Sequence, residues 1–178
     1  MAWPDITLKP VHRLDVNTGG LLIFGKTARV AQELIALFRE RVVEKTYLVR
    51  VEGHVLEERF SIDSPIGKYP GEGGLRTVNS AGLPALTLVE TVERFSNGTT
   101  LLRAFPKTGR TNQIRVHMKS MGHPVLGDRA YGRGLKDGET FSESDDQLYL
   151  FAHAVSFTHP LTQQPLSFKA EPPPWFTA

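Results

Sequence analysis

The chain contains no cysteine among its 178 residues. That excludes a disulfide framework, a thiolate zinc site and a cysteine nucleophile. It also lacks any apolar run near the roughly 18 residues a membrane-spanning helix needs. The opening residues, MAWPDITLKP, have neither the charged nor the apolar region of a signal peptide. Little net charge of either sign is present, +2 in all, so bulk charge alone argues weakly for a polyanionic partner. No two histidines stand at the spacing of a zinc-protease helix, and no Gly-Lys-Ser/Thr follows Lys107-Thr-Gly-Arg110 as a nucleotide-triphosphate loop requires. Neither a metal nor a triphosphate reading therefore has support. The six histidines read as hydrogen-bonding residues that fix loops. A soluble, cytoplasmic, monomeric protein is the expectation.

What is present fits one domain of ordinary globular composition, 40% hydrophobic and 22% charged. Such a chain buries about two-thirds of the surface its unfolded form exposes. Its charges are segregated along the sequence. Between Leu101 and Gly127 stand five bases (Arg103, Lys107, Arg110, Arg115 and Lys119) and no acid, whereas Asp137 to Asp146 carries five acids and no base. That segregation can present a basic face to an anionic partner despite the near-neutral sum.

Periodicity sets the elements. GLLIFG, Gly20 to Gly25, reads as a short buried strand bounded by glycines. Thr27 is placed to cap a helix running to about Arg41, with Val30, Leu34, Leu37, Phe38 and Val42 on one face. Lys45 to Glu52 alternates as a strand, Thr46, Leu48 and Arg50 on one side and Tyr47, Val49 and Val51 on the other. PIGKYPGEGG, Pro65 to Gly74, is rich in breakers and reads as loop. LTLVETVERF and TTLLRAF flank Ser96-Asn97-Gly98, a strong hairpin signal. A helix is expected from about Thr111 to Met121 with Gly122 as its stop, then irregular chain over GHPVLGDRAYGRG. Two more strands lie around the turn Leu161 to Pro165. The fold class is α+β, a mixed, largely antiparallel sheet with flanking helices and loops.

Chemistry points to two stretches. In VHRLDVNTGG a lone acid, Asp15, sits two residues after Arg13 and just before glycines that leave room for a close approach. A half-buried carboxylate beside a cation is expected to keep a low pKa and stay ionised, which suits nucleophilic or base work. A helix cap or local turn is the simpler role for an isolated Asp. In Lys107 to His117 a Thr-Gly-Arg turn opens onto a helix N-terminus, offering backbone N–H groups and a guanidinium to phosphate. His12-Arg13-Leu14-Asp15 matches a kinase loop only superficially, because no Gly-rich loop or Asp-Phe-Gly accompanies it.

Taken in order, HRLDVNTGGLLIFGKT, EKTYLVRVEG, GRTNQIRVHMKSMGHPVLGDRAYG and FAHAVSFTHP closely resemble the RluA-type family of RNA pseudouridine synthases. The resemblance implies a pseudouridine-synthase fold over a single catalytic domain, residues 1–178, and isomerisation of specific uridines in structured RNA, rRNA or tRNA. It implies no cofactor and no metal. Asp15 matches the catalytic acid of the His-Arg-Leu-Asp block. Tyr47 matches the tyrosine packed against the target base. Arg115 matches the arginine that ion-pairs with the acid, which makes it a better candidate for that cation than Arg13. Arg13 matches the arginine that fills space as the base leaves the stack. Lys45, Lys107, Arg110, Asn112, Gln113 and Lys119 complete the expected RNA-binding set.

Three departures stand out. Gly19 replaces the family's frequent Ser, and Asn112 replaces its usual His, which removes a titrating group there. Only eleven residues precede His12, so the chain is expected to be short at its N-terminus, without the S4-like domain many members carry. A non-catalytic RNA-binding remnant of the same fold is the alternative. A hydrolase using Asp15 and Asp128 as a carboxylate pair is remote, since Asp128 in Gly-Asp-x-x-Tyr-Gly reads more simply as a turn residue.

Overall fold

A computed structural model describes residues 7–69, 74–132 and 147–176. Alternating apolar residues build its centre, a seven-stranded sheet in the order β11-β10-β4-β9-β8-β5 with β2 set beside β10. The strands are β2 (Gly19–Gly20), β4 (Glu44–Glu52), β5 (Arg59–Asp63), β8 (Leu86–Arg94), β9 (Thr99–Pro106), β10 (Leu150–Thr158) and β11 (Pro165–Lys169). Every pairing in this sheet is antiparallel except β2 with β10. β8 and β9 form the hairpin expected around Asn97-Gly98, with Gly98 at φ 79°.

The two faces of β4 sort as the alternation requires. Tyr47, Val49 and Val51 join Leu102, Ala104, Ile114 and Met118 in one core. That core lies beneath helix α2 (Gln113–Ser120). On the other face Leu48, Leu101, Phe151 and Phe176 form a second cluster. Arg50 lies on this second face, 3% exposed. Its guanidinium sits 4.1 Å from the Phe95 ring centroid, and it donates to Thr99 Oγ1 at 3.0 Å and to the Phe176 carbonyl at 3.4 Å. A buried cation is costly without such partners. Here it ties the closing 3-10 turn, Pro174–Phe176, to the sheet.

Helix α1 (Ala28–Glu40) starts at Thr27, whose hydroxyl accepts from the Val30 N–H, and ends at Arg41 in the left-handed conformation. Ala31 and Leu34 pack with Val43, Val155 and Phe157. Val42 was expected on this apolar face, but it follows the left-handed turn and is 55% exposed.

Three local expectations are corrected. GLLIFG is not one buried strand: β2 pairs with β10, whereas β3 (Phe24–Gly25) pairs with β1 (Lys9–Pro10). Different partners claim its two ends, so the run turns between them and leaves Leu22 and Phe24 partly exposed. Gly20, at φ 109°, lies so close to the Ala152 backbone that a Cβ would collide with it. The breaker-rich segment is also more than loop. Ile66–Lys68 (β6) and Arg76–Val78 (β7) form a small hairpin, because Ile66 is buried against Ala85, Val116 and Tyr131. Helix α2 begins two residues later than expected, after Asn112 at φ 56°. The acidic stretch Asp137 to Asp146 lies outside the described residues.

Phe176 is 1% exposed and covers Leu48, Leu101 and Phe151. Phe176→Ala is expected to lower unfolding free energy by about 3–5 kcal/mol, read as a fall in the urea midpoint. A change below about 1 kcal/mol would show that the C-terminal turn is not part of the cooperative core.

Candidate active site

Asp15 opens a turn in which the Thr18 N–H donates to its carbonyl at 3.0 Å and Asn17 takes a left-handed φ of 64°. The turn places the carboxylate in a cavity of about 390 Å³. Tyr47 and Ile114 line it, with Phe38 and Ile35 of α1 as an apolar wall and Arg13, Arg39, Lys45 and Arg110 among its polar lining. Apolar walls with a few fixed polar groups suit a flat, polar ring.

The cavity brings the sequence's first candidates together. The backbone N–H of Asn112, just before the first residue of α2, acts on the Asp15 carboxylate and favours its ionised form. Burial pushes its pKa above the ordinary carboxylate value. The Asn112 N–H and the charges of Arg115 and Arg13 oppose that shift, while Asp128 adds to it. The expectation of a low pKa is thereby corrected, because loss of water outweighs the nearby cations. Tyr47 is partly buried beside Asp15, and loss of water followed by the Asp15 charge pushes its phenol up to about 12. Tyr47 is thus protonated at neutral pH, an aromatic wall with a hydroxyl donor.

Arg115 does not pair with Asp15. It forms a bidentate ion pair with Asp128, Nε to Oδ2 and Nη2 to Oδ1, both 2.7 Å. The two side chains are 11% and 0% exposed. Asp128 Oδ1 also accepts from the N–H groups of Ala130 and Tyr131, so this carboxylate serves both as the expected turn residue and as Arg115's anchor. Asp15 feels Arg115 only through charge attraction. The third arm of the guanidinium, Nη1, donates to Asn112 Oδ1 at 3.2 Å. Asn112 Nδ2 in turn donates to the Tyr131 hydroxyl at 3.0 Å, and that oxygen also accepts the Arg76 N–H of β7.

Two expected RNA contacts are thereby corrected. The Asn112 side chain is occupied by Arg115 and Tyr131. Gln113 is 4% exposed. Its Oε1 accepts from Thr108 Oγ1 at 2.6 Å and from the Arg110 N–H, and its Nε2 donates to the Leu86 carbonyl and Thr87 Oγ1. It braces α2 against β8 and has no capacity left for a ligand. Lys119 sits 6.0 Å from the Tyr131 ring centroid and lines neither this cavity nor its neighbour. Arg110 donates to the Pro84 carbonyl from the cavity wall. Lys45 Nζ donates to the Thr108 carbonyl at 3.3 Å, and Lys107 lines an adjoining cavity.

The histidines fix loops, as their spacing implied. His12 accepts from the Ile23 N–H and stacks on Phe38 at 4.4 Å. His117, wholly buried, bridges Thr87 Oγ1 and the Ser64 carbonyl. Among the described residues no group of three or more His, Asp or Glu side chains could hold a metal ion. The sequence reading missed Tyr131 and Arg39, and it missed Asp128 as the partner of Arg115. The spacing of Asp128 and Tyr131 hints at a turn, but nothing local shows that the turn folds back onto α2.

Residues 5–120 match the RNA pseudouridylate synthase family. The chain is 38% identical over 165 residues to the dual-specificity RNA pseudouridine synthase RluA of Pasteurella multocida, covering 92% of this chain and 73% of that one. It is 37% identical to the ribosomal large subunit pseudouridine synthase C of Vibrio vulnificus, covering 92% of this chain and 51% of the relative. Among solved structures, human RNA Pseudouridylate Synthase Domain Containing 1 superposes with a TM-score of 0.77 at 28% identity, over 94% of this chain and 70% of that one. A family match across most of the chain, close identity to RluA and a shared fold lead to one conclusion: this chain belongs to the RluA-type family of RNA pseudouridine synthases.

Proposed function

We propose that this chain isomerises a uridine of structured rRNA or tRNA to pseudouridine, with Asp15 as the catalytic carboxylate. The observation that carries the reading is the placement of Asp15. It is half-buried in a cavity of about 390 Å³, beside the Asn112 backbone N–H and the Tyr47 ring. The reaction breaks C1′–N1, turns the uracil and joins C1′ to C5. The proton leaves C5 and N1 gains one, so no external group is consumed. An ionised Asp15 can serve the first step by attacking C1′ or by taking the 2′ proton.

Reaching that carboxylate requires the uridine to leave its stack, which costs a few kcal/mol. Stacking on Tyr47 offsets part of that cost, at about 1–3 kcal/mol per base. Arg13, exposed on the rim of the cavity, is positioned to fill the gap the base leaves. Lys45, Lys107 and Arg110 supply charge for the backbone. Arg115 organises the site from behind, through Asn112 and Asp128.

The direct test incubates the chain with unmodified total RNA from its own source and maps pseudouridine by carbodiimide-stop sequencing. New pseudouridines with the parent and none with Asp15→Asn support the enzyme. RNA binding without any modification would contradict it and favour a binding remnant.

Two further outcomes follow from the burial of Asp15. The ionised carboxylate disfavours the folded state. That penalty is absent below the unfolded carboxylate pKa, grows as pH rises above it and is fully present once pH exceeds the elevated folded pKa. Asp15→Asn is therefore expected to raise the melting temperature by about 2 °C at neutral pH while abolishing turnover, and the gain should vanish in acid. A lower melting temperature at neutral pH would show that Asp15 is a structural cap. The single-turnover rate should also rise with pH through a midpoint above the ordinary carboxylate value of about 3.9 and then level off. A midpoint at or below that value would contradict the desolvated acid.

A further inference from the structure

A second cavity, about 670 Å³, adjoins the first and shares Lys45 and Pro106 with it. Arg41, Lys45 and Lys107 line it together with Thr46, Ser156 and Ser167. The three cations arrive from three elements: the end of α1, the start of β4 and the segment just after β9. Among the described residues none of the three has an acidic partner within ion-pair distance. The one acid on the wall is Glu44, whose carboxylate accepts from Ser156 Oγ at 3.2 Å.

We propose that this cavity is a phosphodiester subsite that holds the RNA backbone beside the uridine bound over Asp15. The inference rests on the function proposed above and adds where the strand goes once the base has left the stack. Three like charges gathered around the one carboxylate of Glu44, which pairs with none of them, repel one another, and an anion between them relieves that repulsion. Lys45 shows the strain: burial, then Arg41, then Lys107 all favour its neutral form. Attraction of cations to a helix C-terminus accounts for Arg41 but not for Lys107, which comes from the sheet. The hydroxyls of Thr46 and Ser167 offer donors of the kind that phosphate oxygens accept.

Geometry connects the subsite to the chemistry. Lys45 and Tyr47 stand two residues apart on one face of β4, about 7 Å along the strand, a span that one nucleotide step can cover. Lys45 lines both cavities, so a strand whose base occupies the first carries its adjacent phosphate into the second.

The test measures binding of a fluorescein-labelled oligouridylate, long enough to span both cavities, by anisotropy over a range of KCl concentrations. The full chain is used with Asp15→Asn, so that no turnover intervenes. Arg41→Gln with Lys107→Gln removes two exposed cations. The control, Arg59→Gln with Lys169→Gln, removes the same charge from residues that already have acidic partners. The proposal predicts that the slope of log affinity against log salt becomes less steep by about 1.4, near 0.7 for each cation, and that the control slope stays as in the parent. An unchanged slope in the Arg41/Lys107 pair, or an equal change in the control, overturns the subsite. Pseudouridine mapping with the parent chain is read separately. Modification with an unchanged slope sinks the subsite alone, and a changed slope without modification sinks the enzyme reading while leaving the phosphate contact standing.

Discussion

The buried ion pair of Arg115 and Asp128 is the interaction on which the site depends. It joins helix α2 to the turn after it through two 2.7 Å hydrogen bonds and leaves the carboxylate wholly buried. Breaking such a pair by removing one partner typically costs about 3–5 kcal/mol. From that anchor the chain of contacts runs outward. Arg115 holds the Asn112 side chain, the Asn112 backbone N–H favours the ionised form of Asp15, and Tyr131 receives both Asn112 and the β7 backbone. The α2 N-terminus, the small hairpin and the turn at Asp15 are thereby brought together. Asn112 suits this junction because Asn tolerates the left-handed backbone it adopts at φ 56°. Its side chain also has one acceptor for Arg115 and one donor for Tyr131.

The same arrangement explains how one carboxylate is kept available. If Arg115 paired bidentately with Asp15, both carboxylate oxygens would be occupied. Because Asp128 takes the guanidinium's Nε and Nη2, Asp15 is left with the backbone N–H of Asn112 and the more distant attraction of the guanidinium. Desolvation raises its pKa, and the nearby Asn112 N–H and guanidinium charges partly offset that rise. The phenol of Tyr47, pushed up to about 12, stays protonated and adds no competing charge. Electrostatic strain of the same kind recurs in the neighbouring cavity, where Lys45 faces Arg41 and Lys107.

Much of the fold was legible because it rests on local periodicity. The alternation of β4, the Asn97-Gly98 hairpin and the Thr27-capped helix all emerge where the residues place them. GLLIFG was misread because its composition cannot show that β10 claims one end and β1 the other. The β6–β7 hairpin was hidden by breakers, while its anchor, Ile66 against Tyr131, spans a long sequence separation. In the site, Asp15 and Tyr47 were readable from their blocks, and the cavity brings them together. The partner of Arg115 was not, since the choice between Asp15 and Asp128 is made by the tertiary path of the chain. Asn112 and Gln113 looked like RNA contacts because they are polar and adjacent to the site. Only their hydrogen bonds to other parts of the protein reveal them as braces.

The measurement that bears most directly on this account is a carbon-13 titration of the Asp15 carboxyl in the free protein, repeated with Asp128→Asn. The account predicts a midpoint above the ordinary value of about 3.9 in the parent. It predicts a lower midpoint in the variant, where a repelling carboxylate is removed and Arg115 is released toward Asp15. An Asp15 that titrates at or below the ordinary value, or one indifferent to Asp128, would contradict the claim that the Arg115–Asp128 pair sets the state of Asp15.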